Sequence, residues 1–243
     1  MIPEDHPRYR SLVVREKLAA FAREGIVSPE GLTAHGRGEA FDYLIGERTT
    51  ESARIAGRTA AAMLITAQAP VISVNGNTAA LAATEIGGLQ QASGARVEVN
   101  LFHRTKARIR KITGLLESCG VQVLEGTPDR LIPLSHDRGW CLPEGIGAAD
   151  VVLVPLEDGD RCAALRAMGK QVITIDLNPL SRTSRTATLT IVDELTRAIP
   201  LIAAACREIG ESEAKTLIAN LDNHYLLQEA MREMKRRLEG ALD

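Results

Sequence analysis

Val151-Val-Leu-Val-Pro-Leu-Glu-Asp-Gly-Asp-Arg161, followed one helix further on by Gln171-Val-Ile-Thr-Ile-Asp176, decides the fold. Each stretch opens with a run too apolar and β-branched for a strand that keeps one face in water. Between them, residues 161–168 read as a helix that stops at Gly169. Strand, helix and strand, with both strands buried on two faces, make a unit of a parallel sheet.

The same alternation extends in both directions. Upstream come a strand Val71-Ile-Ser-Val74, a helix over 78–93, a strand over 96–101, a helix over 105–119 ending at Gly120, and a strand over 121–124. A loop bearing Pro and Gly then runs through Trp140 to Gly147. Downstream, Thr188-Leu-Thr-Ile-Val192 is a further strand. The expectation is an α/β fold, a mostly parallel sheet with helices on both faces. Ahead of it, Leu12, Leu18 and Phe21 at helical spacing mark a helix over 8–24, stopped by Gly25. Ser28 as cap and Pro29 at the first helical position start a second, which is expected to break near His35-Gly36-Arg37-Gly38 before Gly46. An alanine-rich third covers 50–68, and helices over 193–209 and 211–242 close the chain. The last is charged enough to lie half solvated or against a partner subunit. Without a linker or internal repeat, one domain is expected: a helical part over 1–69, a core over 70–192, and C-terminal helices over 193–243.

The composition narrows the function. With 45% apolar and 25% charged residues the chain is an ordinary globular one, and a net charge of −2 gives no general attraction to nucleic acid or an anionic membrane. Any anion must be held by local clusters. Cys119, Cys141, Cys162 and Cys206 have no metal or redox spacing and are expected as reduced thiols of a cytoplasmic protein.

In a parallel α/β sheet ligands bind beyond the carboxyl ends of the strands, so the residues that follow each strand carry the function. Asn75-Gly76-Asn77-Thr78 runs straight into a helix and suits a phosphate held by backbone N–H groups, or a plain helix cap. Asn100-Leu-Phe-His103-Arg104-Thr105 offers a second anion site, with His103 also suited to acid–base work near neutral pH. Glu157, Asp158 and Asp160 suit Mg²⁺ carried by a nucleotide, a substrate ammonium, or the dipole of the following helix. Ser181-Arg-Thr-Ser-Arg-Thr186 packs four hydroxyls and two guanidiniums without an acid, the strongest phosphate signal in the chain. Arg182, Thr183 and Arg185 reach phosphates, and Asp176 and Asn178 sit where a ribose or adenine meets the strand tip. Arg15 and Arg37 are further cations, Arg37 flanked by glycines that permit close backbone approach. There is no P-loop, and Gly145-Ile-Gly147 precedes a strand where a dinucleotide turn must follow one.

These motifs resemble a known family. Leu12-Val-Val-Arg15-Glu-Lys17, His35-Gly-Arg37-Gly-Glu-Ala-Phe-Asp-Tyr43, Pro70-Val-Ile-Ser-Val-Asn75-Gly-Asn77-Thr78, Val99-Asn-Leu-Phe-His103-Arg104-Thr105, Arg138-Gly-Trp140-Cys141, Ala149 through Arg161 and Ile175-Asp176-Leu-Asn178-Pro-Leu-Ser-Arg182-Thr183 are similar to the archaeal 4-phosphopantoate–β-alanine ligases, or phosphopantothenate synthetases. The likeness covers 9–200. It implies a Rossmann-like core, a homodimer, and a step of coenzyme A biosynthesis. ATP with Mg²⁺ would activate the carboxylate of 4-phosphopantoate as an acyl adenylate, and β-alanine would displace AMP to give 4-phosphopantothenate. It implies that Arg15 and Arg37 contact ATP, and that Asp176, Leu177, Asn178, Arg182 and Thr183 form the nucleotide loop. Glu194 and Leu195 match a turn where the family more often has Asn at the first position, so adenine contacts there rest on the backbone. Asn75, Asn77, Thr78, Asn100, His103 and Arg104 remain for phosphopantoate. Asp158 and Asp160 are expected at Mg²⁺ or the β-alanine ammonium. Arg182 is the expected catalytic cation, and His103 or Asp158 the expected proton acceptor. Two rivals stand beside this reading: an NAD-dependent oxidoreductase, which calls for a glycine-rich turn that Asn75–Thr78 lacks, and a non-catalytic protein that binds phosphorylated ligands.

Overall fold

In the computed structural model, which describes residues 2–6, 8–156 and 158–240, the alternating segments become a five-stranded sheet. In chain order the strands are β1 (Val71–Val74), β2 (Arg96–Val99), β3 (Asp129–Arg130), β4 (Trp140–Cys141), β5 (Val151–Pro155), β6 (Gln171–Ile175) and β7 (Leu189–Ile191). β3 and β4 form a small antiparallel pair, whereas the other five run parallel in the order β2-β1-β5-β6-β7. Their side chains alternate between two apolar clusters, Ile72, Val74, Leu153, Ile173 and Ile175 in one, Val71, Val152, Val154 and Val172 in the other. Burial on both faces is what the near-continuous apolar runs require.

The helices are α1 (Tyr9–Arg23), α2 (Pro29–Ile45), α3 (Glu51–Thr66), α4 (Gly76–Ser93), α5 (Lys106–Ser118), α6 (Gly159–Ala167), α7 (Arg182–Thr186), α8 (Leu195–Glu208), α9 (Glu211–Ala219) and α10 (Asn223–Glu239). α4 carries the chain from β1 outward to β2, and α6 carries it from β5 to β6 in the opposite lateral direction. Right-handed crossovers therefore put the two helices on opposite faces. Ile86 and Leu89 of α4 accordingly share a cluster with α3, α5 and α8, while Cys162 and Leu165 of α6 lie in the other with Ile132, Cys141 and Ile146. The free edge of β7 is covered by α10, whose Asn223 carboxamide oxygen accepts the Thr190 N–H at 2.7 Å.

Several boundaries differ from the sequence expectation. α2 runs unbroken through His35–Gly38: a Cβ on Gly38 would touch Leu177 and one on Gly31, earlier in the helix, would stand 2.2 Å from Asn77 Oδ1, whereas Gly36 faces open space. Packing of the helix as a whole outweighs a propensity cost of about 1 kcal/mol per glycine. Residues 121–124 make one bridge, Val97 with Val123, before the chain turns away at Gly126 with φ 151°. α4 starts at Gly76, since Asn75 is its cap, accepting the Thr78 N–H at 2.9 Å. The segment over 211–242 is two helices, split where Asp222 caps α10 through the Tyr225 N–H at 2.9 Å. Leu226, Leu227, Ala230 and Met234 of that last helix are buried against α2, α3 and β7.

Glu98 on β2 fixes the long loop to the sheet. Only 2% exposed, its carboxylate accepts the N–H groups of Leu142 at 3.0 Å and Ile146 at 2.7 Å. Burial pushes this carboxyl upward, and the two N–H bonds pull it back. Glu98→Gln turns one acceptor into an amide donor facing a backbone N–H. We expect a loss of about 1–3 kcal/mol, read as a lower denaturant midpoint with an unchanged slope. An unchanged midpoint would show that the carboxylate does not secure the loop.

Candidate functional site

The carboxyl edge of the sheet carries two groups of candidate residues. At one end β6 runs out at Ile175 into a loop that bonds to itself. Asp176 accepts the Asn178 N–H at 2.9 Å and the Ser181 hydroxyl, and Asn178 Oδ1 accepts the Leu180 N–H. Ser181 Oγ caps α7 through the Ser184 N–H at 2.9 Å, and the Ser184 hydroxyl donates to the Asn178 carbonyl at 2.8 Å. The serines of the expected phosphate cluster are thus engaged within the loop, and Thr183 is buried. Arg182 and Arg185 point outward and are exposed. The Arg182 stem lies on the first turn of α6, where a Cβ on Gly159 would come within 2.8 Å of its Cγ. This glycine allows the arginine to cross from β6 toward β5.

α2 lies beside this loop. Leu177 packs with Ile45 and Val192 and touches α2 at Gly38, which brings the neighbouring Arg37, exposed and one residue away, to the same end of the sheet. Arg15 on α1 is held to α2 by Glu39, both of whose oxygens lie 2.9 Å from its Nε, and donates to the Tyr43 hydroxyl at 3.1 Å. α2 is in turn fastened to the end of β7. Arg197 reaches Asp42 at 2.5 Å and Asp193 at 2.7 Å, and Thr49 donates to Asp193 at 2.6 Å. Burial alone would push the Arg197 guanidinium down, but its bonds to the two carboxylates hold it above its usual value. Glu194 is a cap: burial raises its carboxyl, and it accepts the Thr196 N–H at 2.7 Å. Leu195 is buried in the core, and the Glu194 N–H donates to Asp193 at 2.8 Å. A groove of about 570 Å³ lies here between α1, α2 and the start of α8, lined among others by Tyr9, His35, Glu39, Asp42 and Glu194.

At the other end, Asn75 donates to the carbonyls of Pro155 and Leu156, both at 3.2 Å, and its Oδ1 accepts from the Thr78 N–H and hydroxyl. Asn77 donates to the Gly31 carbonyl at 2.8 Å. These side chains hold the start of α4 to its surroundings, and a Cβ on Gly76 would meet the Ile26 carbonyl oxygen at 2.3 Å. The segment over 129–147 crosses the end of β2 as a strap. Asn100, fully buried, donates to the Trp140 carbonyl at 2.8 Å, while its Oδ1 is buried without a partner. The Arg104 N–H donates to Asp137 at 2.9 Å. His103 is exposed, edge-on to Phe102, which stacks on His136 with ring centres 4.6 Å apart. β2 lies three steps from β6 in the sheet, roughly 14 Å at ~4.8 Å per step. The two groups therefore face two parts of one trench.

The acids after β5 lie between them. Glu157 falls outside the described residues. Asp158 meets Arg138 at 3.2 Å, and Asp160 meets His136 Nε2 at 2.9 Å. Partial burial pushes the Asp160 carboxyl up, but bonds from His136 and the Arg161 N–H hold it below its usual range. Among the described residues no three His, Cys, Asp or Glu side chains gather as a metal site. Asp158 faces the Arg138 guanidinium and Asp160 the His136 ring nitrogen, so this donor set does not fit a protein-held Mg²⁺. His136 and Arg197 were not singled out from sequence, and Arg138 entered only as part of the motif Arg138-Gly-Trp140-Cys141, without a role; the one signal for His136 was its place in a long Pro- and Gly-bearing loop.

Comparison with known proteins agrees with the motifs. A family model described as phosphopantothenate/pantothenate synthetase matches residues 52–237. The chain is 59% identical over 243 residues, and over the full length of both, to a protein from Methanospirillum hungatei named 4-phosphopantoate–β-alanine ligase. A protein of the same name from Methanosarcina mazei is 55% identical over 242 residues, 98% of this chain and 96% of that one. One from Thermococcus kodakarensis is 48% identical over 243 residues, 98% and 93% of the two chains.

Arg197→Ala would leave Asp42 and Asp193 as buried carboxylates without their cation. The expected loss is about 3 kcal/mol of stability, read as a lower melting temperature. A melting temperature equal to the parent's would mean that the clamp does not hold α2 to β7.

Proposed function

The chain belongs to the phosphopantothenate/pantothenate synthetase family, and from that premise we propose that it is an ATP-dependent ligase that joins 4-phosphopantoate to β-alanine. The product is 4-phosphopantothenate, an intermediate of coenzyme A biosynthesis, and the bond formed is a C–N amide. The observation that carries this reading is identity of 59% over the full length of a ligase of that name. The arrangement of the site supports it, since the trench offers separate ends for two phosphorylated molecules.

ATP occupies the β6–β7 end. Arg37 and Arg182 face its phosphates, Arg15 supports α2 from behind through Glu39, the loop Asp176–Asn178 meets the ribose, and the backbone at Glu194 and Leu195 meets the adenine. 4-Phosphopantoate occupies the β2 end, with Asn100, His103 and Arg104 nearest. The buried bonds of Asn75, Asn77 and Thr78 make that turn the floor of this end and leave its side chains little to offer a phosphate. Mg²⁺ enters on the triphosphate, where it offsets phosphate charge.

In the first step a carboxylate oxygen attacks the α-phosphorus and pyrophosphate leaves. Two anions must meet, so preorganised guanidiniums are needed to offset their repulsion as the transition state forms. In the second step the amine of β-alanine attacks the acyl carbon and AMP leaves. The protein works as a homodimer in the cytoplasm.

Incubation with 4-phosphopantoate, β-alanine and Mg·ATP is expected to give AMP and pyrophosphate. ADP with phosphate would replace the adenylate route by an acyl phosphate, and no turnover would remove the proposed activity. Arg182→Ala is expected to lower turnover by about 100-fold or more without changing the melting temperature; parent-like turnover would refute its role. Light scattering is expected to give twice the 26.2 kDa of one chain, and a monomer mass would refute the dimer.

A further inference from the structure

The unused chemistry of the trench lies on the strap. His136 is oriented by a carboxylate on one side and has nothing on the other: Nε2 meets Asp160 at 2.9 Å, and Nδ1 is buried without a hydrogen-bond partner. An ionised carboxylate only accepts, so the ring proton sits on Nε2 and Nδ1 carries the lone pair. Stacking on Phe102 fixes the plane of the ring. A second orphaned acceptor, Asn100 Oδ1, belongs to the side chain whose amide holds the strap at Trp140. Two acceptors without donors call for a ligand rich in N–H. Asp160 is also one residue from Gly159, on which the Arg182 stem lies, so the dyad stands between the nucleotide end and the β2 end.

We propose that His136, oriented by Asp160, is the base that takes the proton from the ammonium of β-alanine before it attacks. The proposal rests on the ligase reading and adds a residue to it. β-Alanine arrives with its nitrogen protonated and inert. His136 Nδ1 removes one proton, and Asn100 Oδ1 accepts a hydrogen bond from the same nitrogen. The freed lone pair forms the C–N bond at the acyl carbon, and the bond from that carbon to the phosphate oxygen breaks with its electron pair leaving on AMP. The second nitrogen proton passes to the departing AMP phosphate, and the imidazolium of His136 returns its proton to water after release. Phe102, 42% exposed, stacks on the ring, so the amine reaches Nδ1 with Phe102 turned aside.

The two steps can be measured apart on the full-length protein. Phosphopantoate-dependent exchange of pyrophosphate into ATP reports the adenylate. Hydroxylamine, neutral at the assay pH, accepts the acyl group without a base and forms a hydroxamate. In His136→Gln we expect exchange and hydroxamate formation within about threefold of the parent, and product from β-alanine down by about 100-fold or more. Asp160→Asn keeps the ring in place but frees it to carry its proton on Nδ1, and is expected to lower β-alanine turnover by about tenfold or more with exchange preserved. β-Alanine turnover within about threefold of the parent in either variant would overturn the proposal. So would a parallel fall of exchange and hydroxamate in both variants, which marks a structural role. Absence of AMP formation in the parent protein would instead sink the ligase reading, and this inference with it.

Discussion

The carboxamide of Asn75 spans the place where the sheet comes apart. β1 and β5 pair only as far as Ile72 with Leu153, because beyond that point their chains leave in opposite lateral directions. Asn75 donates both amide protons across the gap to the Pro155 and Leu156 carbonyls, and its oxygen caps α4. Those two carbonyls are thereby satisfied beyond the end of the β1–β5 ladder, where burial would otherwise penalise them. Leu156 then takes a left-handed φ of 56°, uncommon for a side chain of its size, and leads the chain out toward Asp158 and Asp160. Every candidate residue of the trench is placed relative to this pinned opening.

Two polar clamps set its ends. Arg197 with Asp42, Asp193 and Thr49 holds α2, and with it Arg37, to the end of β7. Glu98, Asn100 and Asp160 hold the strap to the end of β2 and the start of α6. Such networks are strong only when complete, since a low local dielectric strengthens each bond and also penalises each missing partner. Asn100 Oδ1 and His136 Nδ1 are among the buried polar atoms without a partner, and they lie where the strap meets the end of β2. Those are the two that the proposed amine would engage.

The parallel sheet was legible because burial on both faces leaves a direct trace, the apolar runs at Val71–Val74, Val151–Val154 and Val172–Ile175. The loop proposed for the nucleotide stood out as a cluster of cations without acids. Its hydroxyls misled, for Ser and Thr serve equally to bind a phosphate and to tie a loop to itself: Ser181 caps α7 and the Ser184 hydroxyl donates to the Asn178 carbonyl. The glycines of α2 misled too, since tertiary packing of a helix as a whole overrides the low propensity of single residues. Asp158 and Asp160 read as metal ligands until Arg138 and His136, twenty and twenty-four residues earlier, came back to meet them.

What the sequence by itself determined is what local physics writes residue by residue: helix starts and stops, strands buried on two faces, and the run of guanidiniums past β6. Together with the family motifs these were enough for the fold class and the reaction. What only the tertiary structure decided is which polar groups are occupied by the fold and which are left over. Whether Asp160 holds a metal or orients a histidine depends on a partner brought to 2.9 Å by the strap, and no spacing along the chain encodes that encounter.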